Sequence, residues 1–408
     1  MTTQLLLVGI SHRTAPIEVR DRLALAGDEL PARRAELVGE GELVVLSTCN
    51  RLEIYVAVND CASARQAVLT ALACVGGLEP RVVAAAMTSR VGDDVVGHLC
   101  RVAAGLDSPI VGEPEILVQV RGALAAAERS RTAGAVLRRL FACAVRAGRR
   151  ARSETGLSES SASLAAVTSE LAAEELGELG GRTVVLVGAG AMGELVGRCF
   201  RARGCEVVVA SRTRAGAAAL AARIGGRASG LDTLERELGS ADVLVSCTRS
   251  PCAVLTADLI ARARRPLLVI DLALPRDVDP AVASLPGCRL VDLDGVYRYA
   301  GAPSVDVRRA VDAAEAIASV EADRFCARQT SAAAAITSLR SRAESIRTAE
   351  LARIEPKLGR LSPEQWRAVE KVTAQIVNKL LHEPTVRVKD GAQLVPALCE
   401  LFALEDAA

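Results

Sequence analysis

Apolar positions recur along this chain in three rhythms, and each predicts a different kind of element. In residues 1–152 the runs LLLVGIS (5–11), ELVVLST (42–48) and EIYVAV (53–58) have strand length, and alanine- and leucine-rich helical stretches separate and follow them. That mixture predicts an α+β domain with helices packed on a small sheet. From residue 183 the rhythm becomes nearly continuous: TVVLVG (183–188), EVVVAS (206–211), DVLVSCT (242–248), PLLVIDLAL (266–274) and RLVDLD (289–294). Such runs, alternating with helical stretches, are the mark of parallel strands buried on both faces. Residues 153–298 therefore read as an α/β, doubly wound, Rossmann-like domain that opens with an amphipathic helix over 164–176. The serine-rich segment 153–163 marks the connection to it. Residues 304–355 contain no Gly or Pro and are dominated by Ala, Arg and Glu. They predict one extended helix, roughly 75 Å long at 1.5 Å per residue. Such a helix cannot bury its apolar stripe within its own domain, so residues 299–408 are expected to form a helical domain that pairs with a partner chain. A second helix is expected after Pro363 and a short one over 394–404.

Composition narrows the functional classes. At 408 residues the chain is too long for one ordinary core. Aromatics make up 2%, which excludes the stacking platforms of single-strand binders. The net charge of +1 leaves any nucleic-acid contact to a local patch. One candidate is residues 129–152, with Arg129, Arg131, Arg138, Arg139, Arg146, Arg149, Arg150 and Arg152 and no acidic residue. On a helix these offer either a stripe for phosphates or an ordinary solvated face, and the residues weigh the two equally. The 12 cysteines are scattered without a CxxC pair, so neither a zinc ribbon nor a disulfide framework is expected, and no metal-ligand cluster stands out. The apolar N-terminal stretch reads as a strand rather than a signal peptide, and no run of apolar residues is long enough for a membrane span. A reduced, cytoplasmic protein is the expectation.

Two motifs carry chemistry. GAGAMG (Gly188, Ala189, Gly190, Ala191, Met192, Gly193) lies directly after an apolar strand and before a helix expected at 194–203. In that setting the first Gly permits the tight turn, the second lets backbone N–H groups approach a pyrophosphate, and the third allows close helix–strand packing. The following strand ends in Ser211, Arg212 and Thr213, where NAD sites place an acidic residue; Arg212 suits a 2′-phosphate, which favours NADPH. In LSTCNRLEIY (46–55), Cys49 sits at a strand end in a polar turn beside Thr48, Asn50 and Arg51. That is a partly exposed, electropositive setting of the kind that lowers a thiol pKa. Cys199 and Cys288, inside apolar runs, read as structural. From context alone a core cysteine and a reactive one are equally open at position 49.

STCNRLEIY resembles the cysteine signature of the glutamyl-tRNA reductase family. GISHRTAPIEVR (9–20), HLCRVAAGLDSPIVGEPEILVQV (98–120), the GAGAMG turn, IDLALPRDVDP (270–280) and NKLLHEPTVRVK (378–389) are similar to that family's further blocks, in the same order. The resemblance implies NADPH-dependent reduction of glutamyl-tRNA to glutamate-1-semialdehyde, the first step of tetrapyrrole synthesis from glutamate, through a thioester on Cys49. It implies proton transfer by His98 and substrate contacts by Thr48, Asn50, Arg51, Ser108, Glu113, Pro114 and Gln119, with Arg51 binding the substrate carboxylate. It also implies a homodimer built on the long helix, a separation between Cys49 and the nicotinamide that motion must close, and an aminomutase as a possible partner. Glu115 and Val118 depart from the family pattern, where Gln and Gly are common, and Pro109 does so mildly. Glu115 would repel an anionic substrate unless an Arg such as Arg51 pairs with it. Other readings are a different NADP oxidoreductase of the shikimate-dehydrogenase-like type and a tRNA-binding regulator without chemistry.

Overall fold

The computed structural model describes residues 3–24, 26–157, 163–263, 266–301, 305–359, 361–391 and 394–404. The chain forms two compact units, residues 1–319 and 320–408.

The first unit holds two sheets. Strands β1 (Gln4–Ser11), β2 (Glu42–Ser47), β3 (Arg51–Val58) and β4 (Thr88–Val91) form an antiparallel sheet in the order β2-β3-β1-β4. The expected three strands are thus joined by β4, an edge strand of four exposed residues, TSRV, which has no apolar pattern to announce it. Strand alternation splits the buried residues of β3 between two faces. Leu52, Ile54, Val56 and Val58 join a core with Leu6, Val8 and Ile10, closed by the helices Ile17–Leu23 and Cys61–Gly76. Arg51, Glu53 and Tyr55 occupy the other face and are buried as well. Tyr55 meets Phe141 of the helix Ala135–Thr155 edge-on, with ring centroids 5.2 Å apart.

The second sheet is the expected doubly wound one. Strands β5 (Thr183–Val187), β6 (Glu206–Ser211), β7 (Arg227–Gly230), β8 (Val243–Ser246), β9 (Leu267–Asp271) and β10 (Cys288–Val291) run parallel in the order β10-β9-β8-β5-β6-β7. The order reverses direction beside β5, which places a ligand crevice at the carboxyl ends of β5 and β8. The helix expected at 164–176 is Leu164–Leu176. The connecting segment lies partly in the end of the helix Ala135–Thr155, and its residues 158–162 fall outside the described residues. Cys199 and Cys288 are half-buried rather than core; Cys100, Cys143 and Cys205 are the buried thiols.

The long helix is Val305–Ile354, 50 residues without a break. In the second unit, Ala332, Ala335, Ile336 and Leu339 of that helix pack with Val388 of the helix Pro363–Asp390 and Val395 and Leu398 of the helix Val395–Phe402. Val372, Ile376 and Leu380, four residues apart on Pro363–Asp390, remain exposed. No single helix among the described residues is long and apolar enough to cross a membrane.

Candidate active site

Cys49 lies in the turn that joins β2 to β3. Thr48 N donates to Arg51 O at 2.8 Å, and Thr48 Oγ1 accepts from Asn50 N and Arg51 N, so the side chain of Thr48 closes the turn. His12 N, just past β1, donates to Asn50 O at 2.8 Å. Arg20, 2% exposed, donates to Cys49 O at 3.0 Å and to Ala15 O at 3.2 Å, and its guanidinium also bonds Asp294. The turn that carries Cys49 is therefore held from two other elements, at Cys49 O by Arg20 and at Asn50 O by His12.

The thiol itself differs from the expectation. Cys49 is half-buried, and burial with the nearby Glu113 carboxyl pushes its pKa up to about 11, against the pull of Tyr297 and Arg20. The expected electropositive neighbour, Arg51, points away: β-alternation sends it into the sheet's buried polar face. There Arg51 donates to Glu53 Oε1 at 2.9 Å and to Asp107 O at 2.6 Å, while its Nε has no protein partner. Glu53 also accepts from Tyr55 OH at 2.6 Å. Although Glu53 is buried, Arg51, His98 and Tyr55 hold its carboxyl down at about 2. Arg51 is thus largely spent on internal acceptors rather than presented whole to a substrate carboxylate.

His98, on the helix Asp93–Ala104, places Nε2 2.8 Å from Glu53 Oε1, with Nδ1 3.9 Å from Asp107 Oδ2. Its hydrogen bond among the described residues goes to Glu53, not to Cys49. His12, Glu53, Asp107 and Arg20 belong to this cluster and were not singled out from the sequence. Burial and the surrounding Arg51, Arg13 and Arg20 lower His12 to about 4, so its imidazole is neutral, and its Nδ1 has no partner.

The loop 105–114 supplies a second wall. Ser108 and Glu113 are buried, Glu113 bonds the Ser108 side chain, and burial raises the Glu113 carboxyl to about 7. Pro114 is exposed and starts the helix Glu115–Arg129; Gln119 is half-buried on it. Glu115 is half-buried, and the cation whose field it shares is Arg152 rather than Arg51. Arg152 also donates to Glu113 O at 2.7 Å and Pro114 O at 2.9 Å, so one member of the basic run turns inward to brace this loop. Val118 is 67% exposed, which makes that departure a surface one.

In the nucleotide half the GAGAMG turn has three distinct glycines. Gly188 has φ +121°, which L side chains rarely adopt. A Cβ on Gly193 would stand 2.4 Å from Gly188 O, so its absence is a packing requirement. A Cβ on Gly190 would meet nothing within 4 Å, so the protein's own packing does not require that glycine. Ala189 and Met192 are half-buried, and Ala191 is exposed at the first turn of the helix Ala191–Ala202, which starts at Ala191 rather than at residue 194 because Gly190 serves as its N-cap. Arg212 is exposed at the end of β6 beside the half-buried Ser211, and Thr213 caps the next helix through Gly216 N. These residues fit a dinucleotide.

The two halves meet at the thiol. Tyr297, on the helix Leu293–Ala300 that follows β10, accepts from Asn50 Nδ2 at 2.8 Å, and its hydroxyl lies 3.7 Å from Cys49 Sγ. Arg276 N donates to Asp21 Oδ1 at 2.6 Å nearby. Nothing local in the sequence announces Tyr297, because the juxtaposition is made by tertiary packing. Among the described residues no group of His, Cys, Asp and Glu is arranged to hold a metal ion.

A thiol turn facing a doubly wound, pyridine-nucleotide-binding half defines a multidomain oxidoreductase. Family models match in sequence: the glutamyl-tRNAGlu reductase N-terminal domain over residues 8–155, shikimate / quinate 5-dehydrogenase over 170–299, and the glutamyl-tRNAGlu reductase dimerisation domain over 313–404. The chain is 42% identical to the glutamyl-tRNA reductase of Rubrobacter xylanophilus over 396 residues, covering 95% of this chain and 92% of that one. It is 38% identical to that of Sorangium cellulosum, over 99% and 83% respectively. Among solved structures, the glutamyl-tRNA reductase from Methanopyrus kandleri is 29% identical, covers 98% of this chain and 99% of its own, and gives a TM-score of 0.44. The chain belongs to the glutamyl-tRNA reductase family. The shikimate-dehydrogenase-like reading holds only for the nucleotide half, and a regulator without chemistry finds no support.

Proposed function

We propose that this chain reduces the glutamyl group of glutamyl-tRNA to glutamate-1-semialdehyde with NADPH, by way of a thioester on Cys49. The observation that carries this reading is the position of Cys49: a thiol on a rigid turn, directly facing the half that holds the dinucleotide turn. In the first step the Cys49 sulfur displaces the tRNA 3′ oxygen from the glutamyl carbonyl; the C–S bond forms, the C–O bond breaks, and the thiol proton ends on the released hydroxyl. Glu113, buried and poised at about 7, is the group suited to carry that proton. Ser108 and the unpartnered Oδ1 of Asn50 supply polar contacts for the glutamyl group, with Thr48 shaping the turn and Arg51 holding Glu53 and Asp107 beneath it. Pro114, Glu115 and Gln119 extend that wall. His98 acts through Glu53, holding the network beneath the turn. When bound, NADPH would supply a hydride to the thioester carbon, and the C–S bond would break to release the aldehyde and return the Cys49 thiolate, which takes up a proton. Gly188 to Gly193 would hold its pyrophosphate, and Ser211, Arg212 and Thr213 its adenosine 2′-phosphate.

The exposed stripe Val372, Ile376 and Leu380 supports a homodimer through the C-terminal unit. The labile aldehyde makes an aminomutase a fitting recipient, and the exposed Arg129, Arg131, Arg138 and Arg149 a surface for tRNA phosphates, in a cytoplasmic setting.

Incubation with glutamyl-tRNA tests the reading. Without NADPH a glutamyl adduct should form on Cys49 and be visible by mass spectrometry; with NADPH semialdehyde should appear. Semialdehyde made equally well by Cys49→Ser protein would refute the thioester.

A further inference from the structure

We propose that Tyr297, supplied by the nucleotide-binding half, is a catalytic residue of the thiol half: its hydroxyl donates a hydrogen bond to Cys49 Sγ and stabilises the attacking thiolate. A phenol oxygen has one proton to give and lone pairs to accept. Asn50 Nδ2, which can only donate, takes one lone pair at 2.8 Å. The phenol proton is thereby left for its other neighbour, Cys49 Sγ at 3.7 Å. That contact is long for a neutral thiol, a weak acceptor, and shortens once the sulfur is charged, because charge-assisted hydrogen bonds are the short ones.

Tyr297 matters because the thiol is otherwise poorly placed to ionise. Burial and Glu113, from the loop before the helix Glu115–Arg129, oppose the thiolate; Tyr297 and Arg20, from the helix Ile17–Leu23, favour it. Arg20 is shared with Cys49 O and Asp294. The groups facing the phenol are Cys49, Glu113 and Asn50, and its own burial keeps it protonated, as a donor must be. Asp294, bonded to Arg20, sits one helical turn before Tyr297 and sets the helix Leu293–Ala300 on the turn. Thiol activation is therefore tied to docking of the nucleotide half.

The proposal rests on Cys49 as the nucleophile, so the test is read without tRNA or nucleotide and can fail separately. The rate of Cys49 alkylation by iodoacetamide is followed against pH in the full chain, with peptide mass spectrometry to separate Cys49 from the other thiols. Tyr297→Phe should raise the midpoint by about one pH unit and slow alkylation about tenfold below it. Tyr299→Phe, whose hydroxyl bonds Glu174 instead, should leave the profile in place. An unchanged or lowered midpoint in Tyr297→Phe, or faster alkylation at every pH, as removal of a mere shield would give, overturns the proposal. So does an equal shift in both variants, which would assign the effect to helix docking.

Discussion

Glu113 and Glu53 are two buried carboxyls of one site whose surroundings drive them in opposite directions. Arg51, His98 and Tyr55 hold Glu53 at about 2, so its contribution to stability is present above its ordinary 4.5 and is lost as pH falls toward 2. Glu113 is held up at about 7 by burial, against the bond from Ser108. The folded chain therefore keeps a proton there, between 4.5 and about 7, that the unfolded chain has released. Its contribution is present at acid pH and is lost as pH rises through about 7. Glu113→Gln should then be more stable than the parent above that pH, by on the order of 1–3 kcal/mol, and close to it below about 4.5. Urea unfolding at the two pH values checks this. A gain of equal size at both would mean that packing, not ionisation, sets it. Tolerating an unstable carboxylate beside the thiol is expected where chemistry rather than stability selects the residue.

At the scale of elements, the glycines of the dinucleotide turn separate binding from packing. Gly190→Ala adds a methyl to open space, so the melting temperature should hold while NADPH affinity, read by fluorescence titration, falls at least tenfold through loss of close approach. Gly193→Ala drives its Cβ against Gly188 O at 2.4 Å and should cost about 1–3 kcal/mol of stability as well. Equal affinity losses without a stability difference would contradict this division. Most elements were legible because their apolar runs are buried on both faces, as in β5, β8 and β9. Strands β4 and β7 were not, since TSRV and RASG are edge strands held by backbone pairing with few apolar side chains. Within the site, the turn around Cys49 was legible from its polar residues at a strand end. The inward turn of Arg51 was not: a strand's period of two puts it beside Glu53 and Tyr55, but only the helices packed over that face make the face interior.

Across the first unit, the site depends on contacts far apart in sequence. The nucleotide half is fastened to the thiol turn by Arg20 with Asp294, by Asp21 with Arg276, and by Asn50 with Tyr297. These polar fastenings are few and their carboxylates partly exposed, so each contributes modestly beside the apolar cluster in which Ile17 and Ile110 join the core of the nucleotide half. Arg20 is the exception, being buried with backbone carbonyls to satisfy it even when Asp294 is gone. Removing Asp21 and Asp294 together should therefore loosen the seam without emptying the site of its cation. In Asp21→Ala/Asp294→Ala protein, amide exchange in the helix Leu293–Ala300 should rise roughly tenfold, while the amides of β1, β3, β5 and β8 keep their protection. Exchange rising alike in the seam helix and the two sheets would show that the halves open only by unfolding together. Selective exchange would show a joint that can part by itself and close again, so that Tyr297 returns to Cys49 Sγ before the sulfur attacks.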